Sequence, residues 1–144
     1  MTGEPAAQVL AECEDGVYVI ELGPTGDGDE LIERRPGDAL PPRPRPVELV
    51  PRFVSASLVD VDALGATVVV VVDARPPLLV SHDAGATWSE RGGGLPRGRC
   101  VALGETPEQV LFAARNRLYV SSDGGIFWRA VAAELPEVRA IAWG

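Results

Sequence analysis

Few side chains in this chain have the types and spacing to do chemistry. The one histidine, His82, is the only candidate general base of its kind. It sits inside a turn with no paired nucleophile, so a Ser/His/Asp enzyme is poorly supported and an exposed, idle side chain is expected. Cys13 and Cys100 lie far apart with no C-x-x-C pair, so they read as small buried apolar residues rather than metal or redox ligands. Tyr18 and Tyr119 stand beside valines in matching strand positions, which reads as packing. A glycosidase would need two convergent carboxylates, and no pair among the 21 acids is singled out. No cofactor or metal motif is present, and the expectation leans away from an enzyme. The pattern that does stand out is Ser81-x-Asp83-x-Gly85-x-Thr87-Trp88, repeated as Ser121-x-Asp123-x-Gly125-x-Phe127-Trp128.

That pattern has a physical meaning. A short acidic side chain can accept hydrogen bonds from backbone N–H groups a few residues on and fold the chain tightly. The glycine supplies a positive φ. The tryptophan places a large ring beneath the turn as the next strand starts. Each copy follows an apolar, strand-like run, so each is expected to clasp a hairpin, with a structural rather than catalytic aspartate.

Both copies resemble the Asp-box, or BNR repeat, of form S-x-D-x-G-x-x-W. In its families the motif lies between the third and fourth strands of β-propeller blades. Those families include sialidases, sortilin-type receptors, some glycoside hydrolases and photosystem II assembly factors. The resemblance is close over residues 81–88 and 121–128 and extends as a repeat frame over about 65–144. Phe127 departs from it, standing where threonine is usual. The resemblance implies a structural motif and does not transfer an activity. A sialidase-like site would need an arginine triad and a tyrosine nucleophile, and neither is singled out.

The elements follow from this frame. Leu95-Pro96 matches Leu135-Pro136, and Arg99 matches Arg139, a spacing of about 40 residues that suits propeller blades. We expect an all-β fold of about three four-stranded antiparallel blades. Residues 55–91 and 99–131 each form one, and 8–34 plus 138–144 form the third, closed by strands from both ends. No strong helical pattern appears, Val131–Leu135 being the one ambiguous piece. Residues 1–7 are expected to fray, and 23–29 is a loop without the motif. The stretch 41–46, Pro-Pro-Arg-Pro-Arg-Pro, is extended. It reads as a stiff connector or, alternatively, as a Pro-rich ligand for an aromatic groove. Propellers typically have four to eight blades. A homodimer is therefore expected to complete six blades, the last strand of each chain finishing the first blade of the other.

Composition bounds the rest. The 144 residues are 46% apolar and 24% charged, with 16 Gly and 13 Pro, as in a turn-rich globular domain. The net charge of −8 excludes a general nucleic-acid binder. The longest apolar run, Val68 to Val72, is far short of the roughly 20 residues that span a bilayer. The first five residues lack a signal-like pattern, so a cytoplasmic location is expected. All 13 basic residues are arginine. By blade topology, Arg43, Arg45, Arg75, Arg97, Arg99, Arg115, Arg117 and Arg139 share one loop face. Asp27, Asp29, Asp60, Asp62, Asp83, Glu105, Glu108 and Asp123 take the opposite one. The arginine face is a candidate for an acidic or anionic partner. The expected function is a non-enzymatic binding or scaffolding module. The alternative is a carbohydrate-active protein, hydrolase or glycan binder, whose site forms on oligomerisation.

Overall fold

The computed structural model describes residues 7–24, 28–55 and 57–144. Asp27, the middle of the 23–29 loop and all but the last residue of the expected frayed terminus lie outside the described residues. In chain order the strands are β1 (Gln8–Cys13), β2 (Gly16–Glu21), β3 (Glu30–Pro36), β4 (Leu58–Leu64), β5 (Thr67–Val72), β6 (Leu78–Ser81), β7 (Ser89–Arg91), β8 (Cys100–Leu103), β9 (Val110–Ala113), β10 (Leu118–Ser121), β11 (Arg129–Ala130) and β12 (Val138–Trp143). They form three four-stranded antiparallel sheets, ordered β12-β1-β2-β3, β4-β5-β6-β7 and β8-β9-β10-β11. The fold is all-β and built from propeller-type blades.

Alternation of side chains decides how the sheets stack. Thr67 to Val72 is buried throughout. Val69 and Val71 face the third sheet, while Val68, Val70 and Val72 face the other way. β-branched residues suit such a doubly covered strand, and each buried valine contributes about 1.5–3 kcal/mol. The third sheet is sandwiched. One face packs on Val9, Ala11 and Ile20 of the first sheet, and the other, through Val101 and Phe112, packs on the second. Phe112 is fully buried, with the Tyr119 and Trp128 rings 6.0 and 5.9 Å from it. The tyrosines are packing residues. Tyr18 sits against the first interface, its hydroxyl donating to Asp15 Oδ2 at 2.8 Å.

The chain closes its own first blade. β12 runs antiparallel to β1, with Val9 opposite Trp143 and Ala11 opposite Ile141. Within one chain, β12 fills the seat of the strand that closes the first blade. The outer face of the second sheet is also covered from within. A 3-10 turn at Val47–Leu49 and a single helical turn, α1 (Arg52–Ser55), lay Leu49, Val50 and Val54 over Val61, Val68 and Val70. Sequence periodicity missed this helical turn, and the strand expected from residue 55 begins at Leu58. Pro51 suits the start of such a turn, its carbonyl accepting from Val54 N at 3.0 Å. On the first sheet's outer face, Val17 and Val19 sit opposite Arg35 and Glu33. Those two side chains ion-pair at 3.1 Å and share the valines' face. β3 is exposed along its length and rich in charge, which suits a guarded edge.

Candidate functional site

Each motif copy folds around its serine and aspartate. In the first, Ser81 Oγ donates to Asp83 Oδ1 at 2.7 Å and accepts from Gly85 N at 2.8 Å. Asp83 Oδ1 accepts from Thr87 N at 2.8 Å, and Oδ2 from Thr87 Oγ1 at 2.6 Å. Trp88 Nε1 closes the turn on Gly85 O at 2.9 Å. Gly85 has φ of 95°, and a Cβ there would stand 2.9 Å from Leu49 O, so glycine is required twice over. His82 is exposed, its Nδ1 3.2 Å from Thr67 Oγ1. The hydrogen bonds from Thr87, and then from Ser81, pull the Asp83 carboxyl down to about 2.

The second copy keeps the frame, loses one bond and gains another. Ser121 Oγ donates to Asp123 Oδ1 at 2.7 Å and accepts from Gly125 N at 2.9 Å, and Trp128 Nε1 donates to Gly125 O at 2.7 Å. Asp123 Oδ1 also accepts from Ile126 N and Phe127 N at 3.1 and 3.0 Å. These bonds, the one from Phe127 N foremost, hold this carboxyl below the usual range. Phe127 has no hydroxyl, so Asp123 Oδ2 receives no hydrogen bond among the described residues. Phe127 is 77% exposed.

Phe127 borders a groove of about 640 Å³ between the first and third sheets. Trp128, Trp143, Leu22 and Pro24 line it with Phe127, and Asp123, Ser122, Gln109 and Arg129 supply polar groups. The walls are fixed. Trp143, on β12, donates from Nε1 to Ala102 O at 3.0 Å. Arg129 holds Asp29 at 2.7 and 3.2 Å and also donates to Gly23 O. The Asp29 side chain is wholly buried and accepts from Gly23 N and Ala132 N at 2.8 and 3.0 Å. Burial pushes its carboxyl up, but the Arg129, Ala132 and Gly23 hydrogen bonds prevail and hold it low. Asp29 thus stands in for the missing motif of the first sheet. The one sequence signal was an acid in a glycine-rich loop at the motif's place in the repeat.

Several of the arginines are committed to ion pairs. Arg97 pairs with Asp73, Arg99 with Glu137, and Arg117 with Glu134 at 3.5 Å. Arg75, Arg115 and Arg139 have no ion-pair partner among the described residues. Arg43 and Arg45 strap the Pro-rich segment down. Arg43 lies 3.2 Å from Asp60 and 3.1 Å from Asp62, and Arg45 lies 3.1 Å from Asp60. Asp60 and Asp62, expected on the far face from these arginines, instead meet them. They sit on β4, next to β8, where Asp60 Oδ2 accepts from Val101 N at 2.9 Å and Asp62 Oδ2 from Leu103 N at 2.8 Å. The segment 41–46 therefore acts as a connector. It walls a second cleft of about 590 Å³ lined also by Arg99, Arg139 and Glu12.

Both cysteines are buried free thiols, and burial raises them to about 11 for Cys13 and about 12 for Cys100. Neither is poised as a nucleophile. Among the described residues, no cluster of His, Cys, Asp or Glu is arranged to hold a metal ion. No described helix is long and apolar enough to cross a membrane.

Sheets, turns and groove together define an all-β domain of propeller-type blades. No family model matches the chain, and no curated protein matches it. Among solved structures it is similar to one described as "YCF48 bound to D1 peptide", with a TM-score of 0.47 and 16% identity over 94% of this chain. The match spans 39% of that protein's chain.

Proposed function

We propose that this domain is a non-enzymatic binding module that takes a segment of another protein into the groove between its first and third sheets. The exposed Phe127 ring carries this reading. The other copy of the turn has a threonine there, bonded to its own aspartate. The second turn gives up that bond and presents an aromatic surface at the rim of a rigid cleft. Aromatic side chains beside preformed clefts dominate binding energies at interfaces, and burying the Phe127 ring on a partner would contribute about 1.5–3 kcal/mol. The Asp29–Arg129 pair supports a preformed site, since it anchors one wall through contacts within the chain. The two turns fit the Asp-box pattern, which we assign a structural role here.

The test is an array of extended peptides probed with the purified domain. We expect a subset to be retained, lost with Phe127→Ala and kept with Gly93→Ala, where a methyl group meets nothing within 4 Å. Retention of the same subset by Phe127→Ala would overturn the reading. Arg75, Arg115 and Arg139, beside Arg97, Arg99 and Arg117, form a further surface, to which we assign an acidic partner patch. Reversing the charge of Arg115 and Arg117 should weaken capture of acidic peptides. A second reading rests on the same rings: Trp128, Trp143 and Phe127 can stack on a sugar face. A glycan array and a fluorogenic glycoside panel separate it, because binding or turnover there, without peptide retention, favours the carbohydrate reading.

A further inference from the structure

We propose that the second turn selects a lysine or arginine side chain of the bound segment, held against the Phe127 ring by the Asp123 carboxylate. The inference rests on the groove being a peptide site, and adds what that peptide must carry. Comparison of the two turns leads to it. In the first turn both carboxylate oxygens of Asp83 are engaged, Oδ2 by the Thr87 hydroxyl at 2.6 Å. In the second turn the hydrogen bonds from Ser121, Ile126 and Phe127 all go to Oδ1. Oδ2 is left without a donor among the described residues, and Asp123 lines the groove together with Phe127, which is 77% exposed.

The one arginine lining the groove does not neutralise this oxygen, since Arg129 is committed to the buried Asp29. On the other side of the same turn Glu108 and Arg91 offset one another in charge, the Glu108 carbonyl accepting from Gly124 N at 3.0 Å. A cation satisfies both features at once. It is attracted to the face of an aromatic ring and forms a charge-assisted hydrogen bond to a carboxylate oxygen. The net charge of −8 favours approach of a basic segment over an acidic one.

Phe127→Thr is the informative variant, because it rebuilds the bonding of the first turn and so is expected to fold. A random-peptide display library is selected on the purified domain, with Phe127→Thr as the counter-selection. Enriched peptides should share a lysine or arginine. Replacing that residue with norleucine should weaken binding about threefold to tenfold, and added salt should narrow the difference. Enriched peptides that lack a cation, or that tolerate norleucine, would overturn this inference and leave the groove reading standing. No enrichment over Phe127→Thr would overturn both.

Discussion

At the scale of single residues, the two turns are a natural experiment within one chain. Ser81 and Ser121 make the same bonds, as do Trp88 and Trp128, so the turns differ chiefly in the Thr87 hydroxyl bond of the first and the Ile126 N bond of the second. Thr87→Val should lower the urea midpoint, because Asp83 Oδ2 loses its donor. Phe127→Thr should raise it by supplying Asp123 with the same bond. Equal midpoints for all three proteins would mean that the Thr–Asp bond adds nothing to the turn. The same carboxyls govern acid behaviour. Asp83 is held at about 2 by the hydrogen bonds from Thr87 and Ser81. Asp123 is also held low, by Phe127 N and Ser121. A depressed folded-state value adds stability that is complete above the unfolded-chain value near ~3.9 and is lost as the pH falls through the folded value. Unfolding midpoints should therefore fall between about pH 4 and pH 2, and Asp83→Asn should flatten that part of the curve. An unchanged slope in the variant would assign the acid sensitivity to other carboxylates.

At the scale of elements, close approach between sheets sets the tolerances. Gly98 passes over Phe112, and a Cβ there would overlap that ring and stand 2.9 Å from Val71. Gly98→Ala should cost about 1–3 kcal/mol by overpacking the interface. Gly93→Ala, where nothing lies within 4 Å, should stay within about 0.5 kcal/mol of the parent. Chemical denaturation of the two variants checks the contrast. Asp29→Ala should cost about 2 kcal/mol or more, since Arg129, Gly23 N and Ala132 N all lose their acceptor. The strands that carry these contacts were largely legible in the sequence. Five consecutive valines announce β5, and the two S-x-D-x-G-x-x-W copies mark the hairpins β6–β7 and β10–β11. What was not legible depends on distance along the chain. Asp29 and Arg129 are a hundred residues apart and share no motif, so neither points to the other. Asp60 and Asp62 alternate with apolar residues as solvent-facing acids would. Only the adjacency of β4 and β8 turns them into acceptors for backbone N–H groups.

At the scale of the whole molecule, three blades do not make a ring, and the chain must deal with two faces that a fourth blade would cover. A second copy of the chain was the expectation, since counting blades says how many are missing without saying what replaces them. The structure supplies the replacement from the long connector between the first and second sheets. Residues 47–55 lie on the second sheet's outer face, where Val54 is 4% exposed, and on the first sheet the Arg35–Glu33 ion pair stands across from Val17 and Val19. Capping of this kind is how repeat arrays end without exposing a core. With β12 also seated in its own chain, the domain should behave as a monomer of 15.2 kDa in size-exclusion chromatography with light scattering. Val54→Ala should cost about 2 kcal/mol by opening a cavity under the cap. Val54→Asp should go further, loosening the cap and exposing the valines beneath. If the cap is what keeps the blades from associating, Val54→Asp should show concentration-dependent mass above the monomer while the parent does not. A parent protein at twice the monomer mass would show that the cap leaves the ring-forming faces free to associate.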